Sequence, residues 1–281
     1  MLTLVMWTKN GAETLQRVLD RINKVIPKDC VARCFIVDDK SVDRTRFIAL
    51  TCGWDVLHNT GSGISDGANT ALRNVETEYF ASFEQDLLLA EDWFRKVMPH
   101  FLGGKVAVAS GMRFADRPVG VRKLQQYVAK KYRGEVQMAS WLRSREPAAF
   151  TLGKTYDNTV YNAEVLRQLG GFPDLPIGGE TVLAHKVQEA GYRWTVDYNV
   201  QSIHLRKGLS QELRHQQWYA SQLPEIRRRV KLPPLTQTDV LSRFAMSPFT
   251  GLFIAVKTRE PSVTYVHPLI KLYYLKGTLQ K

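Results

Sequence analysis

Glu84, Gln85 and Asp86 follow the apolar run Tyr79–Phe83, which sets two carboxylates at i and i+2 where a strand ends. Within a regular strand both would point to one face; at its end they can converge on one ion or water. Hard divalent cations need such oxygen ligands, and Mg²⁺ characteristically bridges one or two carboxylates to substrate phosphates. Taken alone, the pair reads more simply as a solvated acidic strand end. A second acidic turn, Asp38-Asp39, closes the β-rich run Val31–Val37. Asp suits turns in any protein, yet acceptors at a strand end can hydrogen-bond a nucleobase imino group or ribose hydroxyls. A third polar turn, Thr8-Lys9-Asn10, follows the apolar run Leu2–Trp7.

The elements that must position these turns are legible in the first hundred residues. Leu2–Trp7 reads as a buried strand, and Leu15, Val18, Leu19, Ile22, Val25 and Ile26 follow helical spacing. Val31–Val37 is the next strand, with Ser41 a candidate N-cap for the following helix. Trp54–His58 is a short strand, followed by a Gly-rich turn and a helix carrying Ala68, Ala71, Leu72 and Val75. Tyr79–Phe83 is a strand, Trp93–Phe101 a helix and Lys105–Ser110 a further strand. Repeated β-α-β units imply a mainly parallel, Rossmann-like sheet covered by helices. Ligands bind beyond the carboxyl ends of such strands, where all three polar turns fall. Gly61 and Gly63 suggest a dinucleotide fingerprint, but the third glycine falls at 67 and no acid closes the next strand, so that reading is rejected. Further on, Asn162–Leu169 is helical before Gly170-Gly171, Glu180–Ala190 is a second helix, and Tyr192–His204 reads as two short strands.

Composition sets the outer bounds. The 281 residues carry 44% hydrophobic and 23% charged side chains, which excludes wholesale disorder. Cys30, Cys34 and Cys52 form no even framework, so a disulfide scaffold or zinc finger is not expected. The N-terminus lacks the basic region of a signal peptide. The run Phe249–Val256 is short of the roughly 20 apolar residues that span a bilayer, so a soluble or peripheral cytoplasmic protein is expected. The net charge of +12 is uneven: residues 1–100 hold 12 Lys/Arg against 14 Asp/Glu, and the remainder 27 against 13. Such a basic remainder suggests phosphate-bearing partners or an anionic membrane surface.

In order along the chain, these motifs resemble those of the family-2 glycosyltransferases of GT-A fold. Val37-Asp38-Asp39-Lys40-Ser41-Val42-Asp43-Arg44-Thr45 is similar to that family's V-D-D-G-S-x-D-x-T turn, which holds the nucleotide's base and ribose. Trp7-Thr8-Lys9-Asn10 resembles its P-T-Y-N turn, and Gly63 to Asn69 its G-x-x-x-A-R-N helix start. Glu84-Gln85-Asp86 occupies the place of its D-x-D motif, and Gly178-Gly179-Glu180-Thr181-Val182-Leu183-Ala184 that of G-E-D-x-D-L-A. The resemblance, over roughly residues 2–205, implies nucleotide binding by Trp7, Thr8, Asn10, Asp38, Asp39, Gly63, Asn69, Glu84 and Gln85. It implies a divalent cation, Mg²⁺ or Mn²⁺, on Asp86 and His204, with Glu180 as catalytic base and Arg206 and Lys207 as diphosphate contacts. Gly179-Glu180 stands in place of the family's Glu-Asp pair, so the base is one methylene longer. On residue type alone, Glu180 reads equally as a first-turn helix acid, His204 as a core imidazole, and Arg206 and Lys207 as surface charge.

The implied reaction is inverting transfer of one sugar from a nucleoside-diphosphate sugar, UDP favoured over GDP, to a glycan or lipid-linked acceptor. A polyprenyl phosphate is the alternative acceptor. Arg214–Trp218 departs from the Q-x-x-R-W motif of processive synthases, which favours single-sugar transfer. The expected division is a catalytic domain over residues 1–226, followed by a basic amphipathic helical extension over 227–281. Within the catalytic domain, residues 1–111 are expected to bind the nucleotide and residues 112–226 the acceptor. Residues 112–150 alternate base with apolar residues and read as a partly helical insertion; with the extension they are expected to face the acceptor and an anionic membrane. Nucleic acid is not an expected partner, because acidic strand ends repel phosphates when no metal is bound. A basic nucleic-acid-binding protein and a non-catalytic sugar-nucleotide-binding domain are the remaining alternatives.

Overall fold

A computed structural model describes residues 1–132, 152–205 and 207–280. The chain divides into two compact units: Met1–Arg113 with Gly153–His204, and Phe114–Leu152 with Leu205–Lys281.

The first unit is built on an eight-stranded sheet in the order β3-β2-β1-β4-β7-β6-β8-β5. Strands β1 (Leu2–Thr8), β2 (Val31–Asp38), β3 (Asp55–His58) and β4 (Tyr79–Phe83) run parallel. Helices α1 (Leu15–Val25), α2 (Thr45–Thr51) and α3 (Gly63–Arg73) connect them. β1 is buried at every position, as a central strand covered on both faces must be. Leu15, Val18, Leu19 and Ile22 give α1 its buried stripe, spaced i, i+3, i+4, i+7. The register sets Thr8 opposite Asp38 and Met6 opposite Phe83, so the three polar turns leave the sheet from one edge.

The other half of the sheet is antiparallel. β7 (Thr159–Asn162) runs against both β4 and β6 (Val106–Ala115), and β5 (Leu87–Leu88) against β8 (Arg193–His204). The sheet is therefore mixed, with the parallel pairing confined to β1–β4. β8 is one strand of 12 residues, not the two short strands expected, and β6 runs five residues past Ser110. Ser41 caps no helix. Its hydroxyl accepts the Asn10 N–H (2.8 Å) and its own N–H donates to Asp38 (3.1 Å), which holds the turn open until α2 begins at Thr45. Short helices α4 (Trp93–Val97) and α6 (Ala163–Gln168) and the longer α7 (Gly179–Glu189) complete this unit.

The second unit is helical among the described residues: α5 (Val119–Tyr132), α8 (Leu209–Arg229), α9 (Gln237–Ala245), α10 (Ser247–Thr258) and α11 (Val263–Leu279). Its core joins Leu124 to Ile254, Ala255 and Val263, and Val121 to Ala115 and Val266. Gly277 brings α11 close to α8, since a Cβ there would stand 2.2 Å from the Gln217 carbonyl oxygen. The unit joins Phe114–Leu152 to the segment from Leu205 onward, which includes α8. The expected insertion 112–150 is helical over α5, and 133–151 lies outside the described residues.

Candidate active site

The first turn is braced to the second by main-chain and side-chain bonds. Asp39 N–H donates to the Thr8 carbonyl (2.9 Å), Val42 N–H to Asn10 Oδ1 (2.9 Å), and Lys9 Nζ lies 3.3 Å from Asp39 Oδ2. Gly63 N–H, at the start of α3, donates to the same Asp39 oxygen (3.2 Å). Burial pushes the Asp39 carboxyl up, but the Gly63 N–H and then Lys9 more than reverse it, so the group sits below the ordinary carboxylate range. Asp38 is 1% exposed, and its Oδ1 has no hydrogen-bond partner among the described residues. Orphaned buried acceptors are rare in folded proteins, so this oxygen is available to a ligand donor.

Three residues expected at the nucleotide have structural partners within the fold. The Trp7 ring is buried edge-on against Tyr156 and Phe172. Asn69 brackets the Phe172 main chain, Nδ2 donating to its carbonyl (2.9 Å) and Oδ1 accepting its N–H (2.8 Å). Gln85 folds back on the first turn: its Oε1 accepts from the Thr8 hydroxyl and the Lys9 N–H, and its Nε2 donates to the Lys9 carbonyl.

Beyond β4 the chain turns, with Leu87 N–H donating to the Glu84 carbonyl (3.2 Å). The antiparallel register then sets His204 opposite Leu87. This brings His204 Nε2 to 3.1 Å from Asp86 Oδ1 and 3.4 Å from Glu84 Oε2, from residues 118 and more apart in the chain. The three ligand atoms lie within 4.8 Å of one another, with the imidazole buried and the carboxylates half-buried. Two carboxylate oxygens and one imidazole nitrogen suit Mn²⁺ or Mg²⁺.

Arg113 and Asp157, which carry no recognisable motif, complete the centre. Arg113 donates to Glu84 Oε2 (2.9 Å) and Asp157 Oδ2 (2.8 Å). Burial opposes the guanidinium charge, but Asp157, then Glu84, Asp86 and Glu180 outweigh it and keep the group firmly protonated. Asp157 is fully buried, which pushes its carboxyl up against the pull of Arg113. Without the guanidinium that acid would be uncompensated, a loss that typically costs about 3–5 kcal/mol. Four carboxylates thus gather around one guanidinium and one imidazole, an excess of negative charge that a divalent cation would offset.

Gly178, in the left-handed region at φ 81°, turns the chain into α7. Glu180 follows in the first turn. Burial pushes its carboxyl up to about 7; its own N–H and Arg113 pull downward, while Glu84 and Asp157 push upward. The glycine at 179 has a packing reason: a Cβ there would stand 2.3 Å from the Tyr156 hydroxyl. That hydroxyl is buried with no hydrogen-bond partner among the described residues. Burial and then the Glu180 charge push the phenol well above its ordinary value, so it stays neutral. Gly179→Ala is expected to destabilise the chain by about 1–3 kcal/mol through overpacking. Tyr156→Phe alone should be neutral or slightly stabilising, since it deletes an unsatisfied polar atom. It should also recover most of the Gly179→Ala loss. Urea unfolding of both single variants and the double variant reads this coupling; strictly additive effects would exclude the steric explanation.

Of the expected diphosphate contacts, Lys207 belongs to the second unit, where its N–H donates to Gln211 (2.7 Å). Arg206 lies outside the described residues.

The family model described as glycosyl transferase family 2 matches residues 3–169. No curated protein matches the sequence significantly. Among solved structures, a mannosyltransferase from Pyrobaculum calidifontis in complex with GDP-Man and Mn²⁺ aligns with a TM-score of 0.68 at 19% identity, over 99% of this chain and 87% of that one. Glucosyl-3-phosphoglycerate synthase from Mycobacterium tuberculosis, in complex with Mn²⁺, UDP and glucosyl-3-phosphoglycerate, aligns with a TM-score of 0.62 at 15% identity, over 83% and 81%. At such identities the likeness is one of fold, and it extends to the antiparallel half that local sequence patterns do not show. Since the family model covers more than half of the chain, the chain belongs to glycosyl transferase family 2 and is a glycosyltransferase of GT-A fold.

Proposed function

We propose that the protein is an inverting glycosyltransferase that moves one hexose from a nucleoside diphosphate to a hydroxyl of a glycan or lipid-linked acceptor. The observation that carries this reading is the convergence of Glu84, Asp86 and His204 within the unit that holds the Asp38-Asp39 turn and Glu180. A carboxylate–imidazole centre suits the diphosphate, and the orphaned Asp38 oxygen suits a donor N–H of the base. The two structural neighbours support a nucleoside-diphosphate hexose used with Mn²⁺. UDP is the favoured carrier and GDP its competitor.

Glu84, Asp86 and His204 would hold the cation, with Arg113 fixing the Glu84 carboxylate. When bound, the cation supplies Lewis-acid stabilisation of the charge that develops on the leaving diphosphate. Glu180, as the carboxylate, accepts the proton of the acceptor hydroxyl. The acceptor oxygen forms its bond to the anomeric carbon on the face opposite the breaking carbon–phosphate-oxygen bond, and the nucleoside diphosphate leaves with that electron pair. A carboxyl with a pKa of about 7 is matched to this proton transfer near neutrality. Asp39 and Asp38 offer acceptors to ribose hydroxyls and base.

A thermal-shift panel of UDP-glucose, GDP-mannose and dTDP-glucose with and without Mn²⁺ tests the reading. One nucleotide series is expected to stabilise the chain only when Mn²⁺ is present, by about 2.7 kcal/mol at a hundredfold excess over Kd. No stabilisation by any of the three at any Mn²⁺ concentration would overturn it.

A further inference from the structure

The second unit carries a surface that glycosyl transfer does not explain. α10 is apolar on both its inner face and most of its outer one: Gly251, Ile254 and Ala255 face inward, while Phe249 and Val256 are 69% and 70% exposed, with Leu252 and Phe253 also exposed. A helix of this kind in water is normally buried on every side. Leu241 on α9 and Met246 between α9 and α10 are exposed apolar residues as well. The face leads into a cleft of about 250 Å³ lined by Leu223, Val240, Leu241, Leu275 and Leu279, with Arg227 at its wall.

The charges beside this face are mostly basic. From Gln237, where α9 begins, to Lys281 there are two acids, Asp239 and Glu260, against six Lys/Arg, and Asp239 is taken up by the capping box with Thr236. The Glu260 carboxylate is engaged locally, accepting from the Ser262 hydroxyl (2.6 Å). The Lys257 ammonium nitrogen lies 5.5 Å from the Phe253 ring centroid and that of Lys276 4.7 Å from the Tyr273 centroid, so positive charge is seated directly on the aromatic surface. Among the described residues no single helix is long and apolar enough to cross a membrane. α9 and α10 reach that length and apolarity only together, and they are bent by 49°. A bent apolar pair rimmed by base fits the plane of an anionic leaflet better than a straight span or a soluble partner.

We propose that α9 and α10 form a monotopic docking face for an anionic phospholipid surface, with Phe249 and Phe253 entering the acyl region and Arg243, Lys257 and Arg259 meeting lipid phosphates. This inference is independent of the donor and acceptor assigned above.

Liposome flotation of the full chain tests it, using vesicles of phosphatidylcholine alone and of phosphatidylcholine with phosphatidylglycerol. Three basic residues near the surface should favour the anionic vesicles roughly 100-fold at low salt, and this preference should fall as salt is raised. Phe249→Ser with Phe253→Ser should abolish flotation, and Lys257→Glu with Arg259→Glu should remove the preference for anionic lipid. All four residues are exposed, so circular dichroism and the unfolding midpoint should match the parent chain and separate lost docking from misfolding. Absence of flotation with both vesicles, or flotation unchanged in the aromatic variant, would overturn the proposal. A dimer in solution that the aromatic variant dissociates would assign the face to a second copy instead. Resistance to alkaline carbonate extraction would equally overturn it, in favour of a membrane-spanning pair.

Discussion

Asp86→Ala is expected to abolish Mn²⁺ binding and to lower turnover by roughly 1,000-fold or more, the several kcal/mol of charge stabilisation that a metal contributes at a leaving group. The carboxylate removed is one of three converging ligands, and the remaining Glu84 is already engaged by Arg113. The ligand-free chain should not lose stability, because the substitution removes one negative charge from a centre crowded with them. That pairing of outcomes separates a functional carboxylate from a structural one. Calorimetric titration with Mn²⁺, release of nucleoside diphosphate from the stabilising donor, and the unfolding midpoint supply the three readings. Unchanged Mn²⁺ affinity would place the metal centre elsewhere.

Glu180→Gln should leave Mn²⁺ and donor binding intact and lower kcat by about 100- to 10,000-fold, the usual range for a general base. Burial pushes the carboxyl up to about 7, so the active carboxylate form disappears as pH falls through that value. The parent enzyme should therefore show an acid limb in kcat/KM at or below pH 7. A bound cation offsets the repulsion from Glu84 and draws the limb below pH 7. The variant's residual activity should lack that limb. Stability moves in the opposite sense. A carboxyl raised above its unfolded value favours the folded chain most below about 4.5, and that contribution is lost as pH rises through 7. Above pH 7 the glutamine variant should thus be at least as stable as the parent. If it retains turnover while Asp86→Ala does not, the acceptor is already ionised, as a polyprenyl phosphate is, and needs no base.

The parallel half of the sheet was legible in the sequence because its signals are local: a buried run, a polar turn and a helical stripe repeat three times before residue 84. The antiparallel half was not, since nothing near Thr159 announces that it pairs with both Ser82 and Ser110. β8 looked like two strands because its alternation lapses around Asp197–Asn199, where a loop-forming sequence is held extended as the strand runs on. Within the site, Glu84 and Asp86 could be found from spacing, but His204 was linked to them only through the family's order of motifs. Arg113 was hidden among basic residues read as an amphipathic surface, and Asp157 among loop residues. Only the fold shows that these two are ion-paired. Trp7 and Asn69 show the reverse: their motifs place them at the turns, while the packing of Trp7 on Tyr156 and Phe172 and the hydrogen bonds of Asn69 to the Phe172 main chain are visible only in the fold.

The second unit is assembled from two stretches of chain, and that has a consequence for synthesis. α5 is finished at residue 132, yet the buried partners of Leu124 among the described residues, Ile254, Ala255 and Val263, are made more than 120 residues later, and Val121, already beside Ala115, waits for Val266. At the usual 5–20 residues per second, the ribosome leaves that half-helix face unpartnered for on the order of ten seconds. Through that interval Val121 and Leu124 are a natural landing place for a chaperone on the nascent chain. Only when Val266 has emerged can α5 be sealed.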